Sequence, residues 1–178
     1  MFLSVINKEI SYGKKGTKQT IQEMARLARL AGFDPQWVMF WRGQVADLPS
    51  KDYKAEAQRI FDLVKQHVRY VRDPNGLELV QDPRSVFFRD GSGDCDEHCS
   101  TIMAAAIALG FDAAARTVGA DANRPDEFSH VYAMLGIPDS SQPDGTAWYA
   151  ADTTQANSYL GWNPPAERIH LIKDWVIT

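Results

Sequence analysis

The sequence predicts an α+β fold with helices packed against an antiparallel β-sheet, and three observations carry that prediction. Before residue 110, apolar residues recur every three or four positions in three separate runs. After residue 110, the pattern shifts to short segments rich in aromatic and β-favouring residues, separated by turn material. At the junction, GDCDEHCSTIMAAAIALG sets a cysteine at the start of a helix so rich in small residues that neighbours can pack on several sides, and this predicts the central helix of the fold.

Taken in order, TIQEMARLARLAGF reads as a helix with a Thr20/Glu23 capping box, one apolar face of Ile21, Met24, Leu27, Ala28 and Ala31, and Gly32 at its end. WVMFWRGQV, residues 37–45, is short and aromatic and is read as a core-anchored extended or turn segment. A second helix is expected from Ser50 to Val68, with Tyr53, Ala57, Ile60, Phe61, Val64 and Val68 at helical spacing, followed by extended RYV. Asp73, Pro74, Asn75 and Gly76 read as a turn, and LELVQDPRSVFFRDGSG as a long approach loop able to wall a cleft. The central helix begins at Cys95. FDAAARTVG, FSHVYAMLG and TAWYAAD then predict three neighbouring antiparallel strands, with His130, Tyr132 and Met134 on one face of the second and Thr146, Trp148, Ala150 and Asp152 on one face of the third. The tail through HLIKDWVIT adds an extended or short helical piece.

Composition narrows the function. The chain has 178 residues, 44% hydrophobic and 24% charged, which suits a single domain: an N-terminal extension and packing helix over 1–50, a core over 51–155 and a C-terminal segment over 156–178. A net charge of -4 disfavours nucleic-acid binding, although Lys8, Lys14, Lys15 and Lys18 form a local basic cluster. The opening MFLSVINKEI does not read as a signal segment, and no window holds the roughly 18 apolar residues of a membrane span. Two cysteines four residues apart do not make a disulfide framework, so reduced thiols in a cytoplasmic protein are expected.

Three chemistries suit the cysteine-bearing helix. Zinc could draw on Cys95, His98, Cys99 and His130, but the spacing lacks a tight knuckle with a second paired cluster downstream. A redox pair would place two residues between the cysteines, and this chain has three. A nucleophile fits best: the first turn of a helix favours thiolate over thiol, and Gly91 and Gly93 let the chain approach closely with room for a substrate carbonyl. His130 is then the base and Asp152 the group that orients its ring. Cys99, one turn on, is expected to pack as a small hydrophobe, and His98 to turn away to solvent. Asp94, Asp96 and Glu97 suit the helix start but oppose a thiolate.

These residues resemble the transglutaminase-like superfamily, whose fold is related to that of papain-like cysteine peptidases. The likeness lies in GDC at 93–95, AAAIALGFDAAARTVG at 104–119, SHVYAML at 129–135 and WYAADTT at 148–154, and with the preceding VRYVRDPNGLELVQDPRSVFFRDG it covers roughly residues 55–155. The family often has tryptophan where Val131 follows the histidine. The resemblance implies Cys95 as nucleophile, His130 as base and acid and Asp152 as orienter, acting on protein or peptide amides through a thioester without a cofactor or metal. Oxyanion donors would be the Cys95 backbone N–H and the Gln81 side chain, and Gly93 and Trp148 are candidates for lining the cleft. Peptidase, deamidase and crosslinking outcomes stay open. So does a non-catalytic alternative, a scaffold in bacteriophage assembly with virion-associated protein partners, because compact members of this kind resemble phage-encoded proteins.

Overall fold

The computed structural model describes residues 13–74 and 79–177, with side chains from residue 16 onward. Lys8, the side chains of Lys14 and Lys15, and Asn75 and Gly76 of the expected turn lie outside the described residues. Five helices and six strands follow in the order α1 (Gly13–Gly32), α2 (Pro35–Val45), α3 (Tyr53–His67), β1 (Arg69–Tyr70), α4 (Pro83–Ser85), β2 (Ser92–Gly93), α5 (Cys95–Leu109), β3 (Asp112–Gly119), β4 (His130–Pro138), β5 (Thr146–Ala151) and β6 (Leu171–Val176). The last four form an antiparallel sheet in the order β5-β4-β3-β6, while β1 and β2 make a separate parallel pair.

Helix α5 is central, as expected: α1, α2 and α3 pack on it from one side and β3 and β4 from the other. The inward face of the sheet (Ala113, Ala115, Val131, Ala133, Leu135 and Ile137) joins the main core, with Ala104, Ala105 and Ala106 of α5 buried in the same cluster. Small residues on both surfaces permit the close approach. Ala114, Val118, Tyr132, Met134 and Ala150 form a second, smaller cluster on the other face.

Three local expectations are corrected. Helix α1 starts seven residues before Thr20, so Thr20 and Glu23 are interior and Glu23 pairs with Arg26 at 2.5 Å instead of capping. Nothing between Lys14 and Gln19 obliges a helix to stop, and the predicted apolar face is buried throughout. Residues 37–45 are helical. Asp34 accepts from the Gln36 and Trp37 N–H groups and Pro35 takes the first turn, so Trp37 and Trp41, four residues apart, fall on one fully buried face. The approach loop is also partly helical: Asp82 caps α4, a π-helical turn over Val86–Asp90 follows, and Gly91 ends it at φ 61°. That turn sends Phe87 and Phe88 into the aromatic cluster of Trp37, Phe40 and Trp41, with neighbouring ring centroids 4.9–6.4 Å apart. Arg84 ties the two Asp-Pro caps together through Asp82 at 2.5 Å and Asp34 at 3.0 Å. The tail holds both expected forms, a 3₁₀ turn at Ala166–Arg168 and strand β6.

Candidate active site

Cys95 opens α5 just after a tightly built cap. The Asp94 carboxylate accepts from the Asp96 N–H at 2.9 Å, and Glu97 reaches back to accept from the Asp94 N–H at 3.0 Å, closing a capping box. The other Glu97 oxygen accepts from the Gln81 backbone N–H at 3.1 Å, pinning the 79–90 segment to the first turn of the helix. Glu97 is 0% exposed, and its burial, with Asp94 beside it, pushes its carboxyl up to about 8. A Cβ on Gly93 would lie 2.3 Å from the Glu97 Cβ. Glycine is therefore needed for the close approach that the sequence predicts, but the space beside it is filled by Glu97.

The electrostatics of Cys95 differ from the expectation of a favoured thiolate. Desolvation is the largest influence and raises the thiol well above its usual range, and the carboxylates of Asp96 and Asp94 push the same way, while a backbone hydrogen bond from Val131 opposes them. The Sγ–H donates to Asp96 Oδ1 at 3.7 Å. Burial, with the N-cap Asp94 and the first-turn Asp96 acting the same way, thus works against the thiolate that a helix N-terminus would favour. Cys99 is buried, as expected of a packing residue, and burial raises its thiol as well.

His130 is the first residue of β4, immediately before Val131. Its Nε2 lies 2.8 Å from Asp152 Oδ2, and its side chain is 19% exposed. Asp152 follows β5, is 1% exposed, and also accepts from the Thr154 N–H at 3.0 Å and the Thr154 hydroxyl at 2.6 Å. Desolvation is the largest influence on its carboxyl and would raise it, but the hydrogen bond and charge of His130 with the two Thr154 bonds outweigh it, so the group stays below the usual range. With Nε2 engaged by Asp152, Nδ1 is the ring nitrogen left for another partner.

Other sequence-predicted residues are placed less centrally. His98 is not exposed but 2% exposed inside the core, its Nδ1 2.8 Å from the Thr153 hydroxyl. Burial, the first cause, lowers this imidazole to about 4. Gln81 is brought beside the helix start by its backbone. Trp148 is 39% exposed and sits across from Gly136, four residues and about 13 Å along the chain from Asp152. Tyr70 is half exposed on β1, feels the charges of Cys95, Asp94 and Asp96, and its ring centroid lies 6.2 Å from that of His98. The four residues weighed for zinc do not gather; among the described residues the groups close enough to share an ion are Asp94, Cys95 and Asp96, and Asp73, Asp94 and Glu97.

The Transglutaminase-like superfamily pattern matches residues 40–164. The chain belongs to that superfamily. Two solved structures share the fold: a candidate cysteine protease from Cytophaga hutchinsonii, at TM-score 0.50 and 16% identity, covering 82% of this chain and 40% of that one, and a candidate protease from Parabacteroides distasonis, at TM-score 0.51 and 10% identity, covering 82% and 32%. This chain therefore spans less than half the length of either. No curated protein matches it in sequence. In this transglutaminase-like chain the superfamily match encloses the capped Cys95 helix, the two strands that present His130 and Asp152, and the segment held by Glu97. No described helix is long and apolar enough to cross a membrane.

Proposed function

We propose that this transglutaminase-like chain is a cysteine-dependent amide hydrolase or acyltransferase acting on protein or peptide substrates, with Cys95 as nucleophile, His130 as general base and acid, and Asp152 as the group that fixes the histidine tautomer. The observation that carries the reading is the His130 Nε2–Asp152 Oδ2 contact of 2.8 Å on a strand whose next residue, Val131, hydrogen-bonds to the Cys95 thiol. Asp152 holds the proton on Nε2, which leaves Nδ1 as the acceptor for the thiol proton.

Because the resting thiol is protonated, deprotonation accompanies attack. His130 Nδ1 takes the Sγ proton as the sulfur bonds to the amide carbon and the carbonyl π pair moves onto oxygen. The Cys95 backbone N–H, and the Gln81 side chain, are the oxyanion donors proposed. When the oxyanion collapses, the C–N bond breaks, the imidazolium gives its proton to the departing nitrogen, and a thioester remains. His130 next deprotonates water, which releases the acid and restores the thiol, or an amine, which yields a new amide. Hydrolysis needs only water as the acceptor, whereas crosslinking requires a bound amine to win that competition.

The raised Cys95 thiol supports a second reading, a binding scaffold that retains the fold without turnover. Glutamine-containing peptides assayed in parallel for ammonia release, amine incorporation and chain cleavage separate the two. Turnover lost in Cys95→Ala and His130→Ala supports the enzyme; activity no greater than that of Cys95→Ala in all three assays leaves the scaffold.

A further inference from the structure

His98 lies on α5 one turn beyond Cys95 and is fully enclosed, yet only one of its ring nitrogens is satisfied. Nδ1 meets the Thr153 hydroxyl at 2.8 Å, whereas Nε2 is buried without a hydrogen bond of normal geometry, the Arg69 backbone being the acceptor that bears on it. The Nδ1–Thr153 pair is a hydrogen bond in either neutral tautomer of the ring, because the hydroxyl can both donate and accept. A buried ring nitrogen without a well-formed partner costs stability, and leucine or phenylalanine would fill such a position without that cost. Thr153 is itself buried and is the chain neighbour of Asp152, and the charges of both Asp152 and His130 reach His98. The corner 152–154 is thus held from two directions: Asp152 Oδ1 binds Thr154, and His98 binds Thr153 from the nucleophile helix.

We propose that His98 is a positioning residue: through Thr153 it locks the corner at the end of β5 to α5, and so sets the Asp152 carboxylate against His130. This rests on reading Cys95, His130 and Asp152 as one reacting group, and it predicts that loss of the His98–Thr153 bond loosens the His130 tautomer rather than only the fold. The test uses the full chain as wild type, His98→Leu, His98→Asn, Thr153→Val and Thr153→Ser. Asn can place its oxygen where Nδ1 was, and Ser keeps the hydroxyl.

Two readouts are taken, the ¹⁵N shifts of the His130 ring and the pH profile of Cys95 alkylation by iodoacetamide resolved from Cys99 by peptide mass. In the wild type and in the Asn and Ser variants, neutral His130 holds one tautomer with the proton on Nε2. In the Leu and Val variants the two tautomers mix and Cys95 alkylation at neutral pH falls about tenfold, the factor that losing one ordinary hydrogen bond produces. The double variant His98→Leu/Thr153→Val is no worse than either single one. A folded His98→Leu protein with an unchanged His130 tautomer overturns the proposal, whatever its thermal stability. If His98→Leu does not fold, Thr153→Val decides the matter by the same shifts. Wild-type alkylation indifferent to His130→Ala would instead sink the catalytic reading, and the ring shifts would still decide the role of His98.

Discussion

The buried neutral histidine gives the fold an acid limb of stability whose size follows from the structure. His98 titrates near 4 in the folded chain, against 6.5 for an ordinary histidine. Between those values the unfolded chain binds a proton that the folded chain refuses, so stability falls as pH drops from 6.5 towards 4. At about 1.4 kcal/mol per pH unit the full loss is about 3 kcal/mol, fully expressed once the folded-state value has been passed. Glu97 acts with the opposite sign: its folded value of about 8 lies above the ordinary 4.5, so its contribution is complete below 4.5 and is lost as pH rises through 8. The two slopes oppose each other between 4.5 and 6.5, and the wild-type profile alone does not reveal either. The perturbation is therefore His98→Asn, read as the difference between wild-type and variant urea-unfolding free energies at half-unit steps from pH 4 to 7. That difference should change by about 3 kcal/mol across the window, with the variant relatively better at the acid end. A pH-independent difference would refute the reasoning, because it would mean that His98 is protonated equally easily in the folded and unfolded states.

Three further outcomes follow from the same geometry. Gly93→Ala puts a methyl group 2.3 Å from the Glu97 Cβ and should cost about 2–3 kcal/mol in urea unfolding; a change under about 0.5 kcal/mol would show that Glu97 moves freely. Glu97→Gln, with one acceptor oxygen for the Asp94 and Gln81 N–H groups, should abolish the decline in stability between pH 6.5 and 8, where His98 no longer offsets it, and persistence of that decline would assign it elsewhere. Asp152→Asn keeps an oxygen for Thr154 but turns an amide N–H towards His130 Nε2, forcing the other tautomer; turnover should fall on the order of 10³–10⁴-fold with the fold intact, and a loss under tenfold would count against Asp152 as orienter.

The parts of the fold that repeat a period were legible in the sequence. The faces of α1, α3 and α5 and the alternation of β3 and β4 depend on where successive side chains point, and one chain suffices to reveal that. Cap chemistry carries what composition does not: Asp34-Pro35 and Asp82-Pro83 are both helix starts, one ahead of a short aromatic run and the other inside a segment with the composition of a loop. The strand pair presenting His130 and Asp152 was readable because both residues fall where apolar alternation ends. Trp148 shares the parity of Asp152, but parity fixes a face and says nothing of position along it.

His98 and Glu97 were hidden for a different reason. Helical phase measured from the apolar residues of α5 turns both away from the core, and on a two-sided helix that would expose them. Helix α5 is packed by α1, α2, α3 and α4 and by strands β3 and β4, so almost none of its directions is solvent. A polar residue on such a helix must find a partner or lose its charge, and these two do so in complementary ways: Glu97 is held by two backbone N–H groups with its carboxyl raised to about 8, and His98 by Thr153 with its ring lowered to about 4. Both groups are therefore neutral at pH 7, so the carboxylates that bear on the Cys95 thiol are those of Asp96 and Asp94.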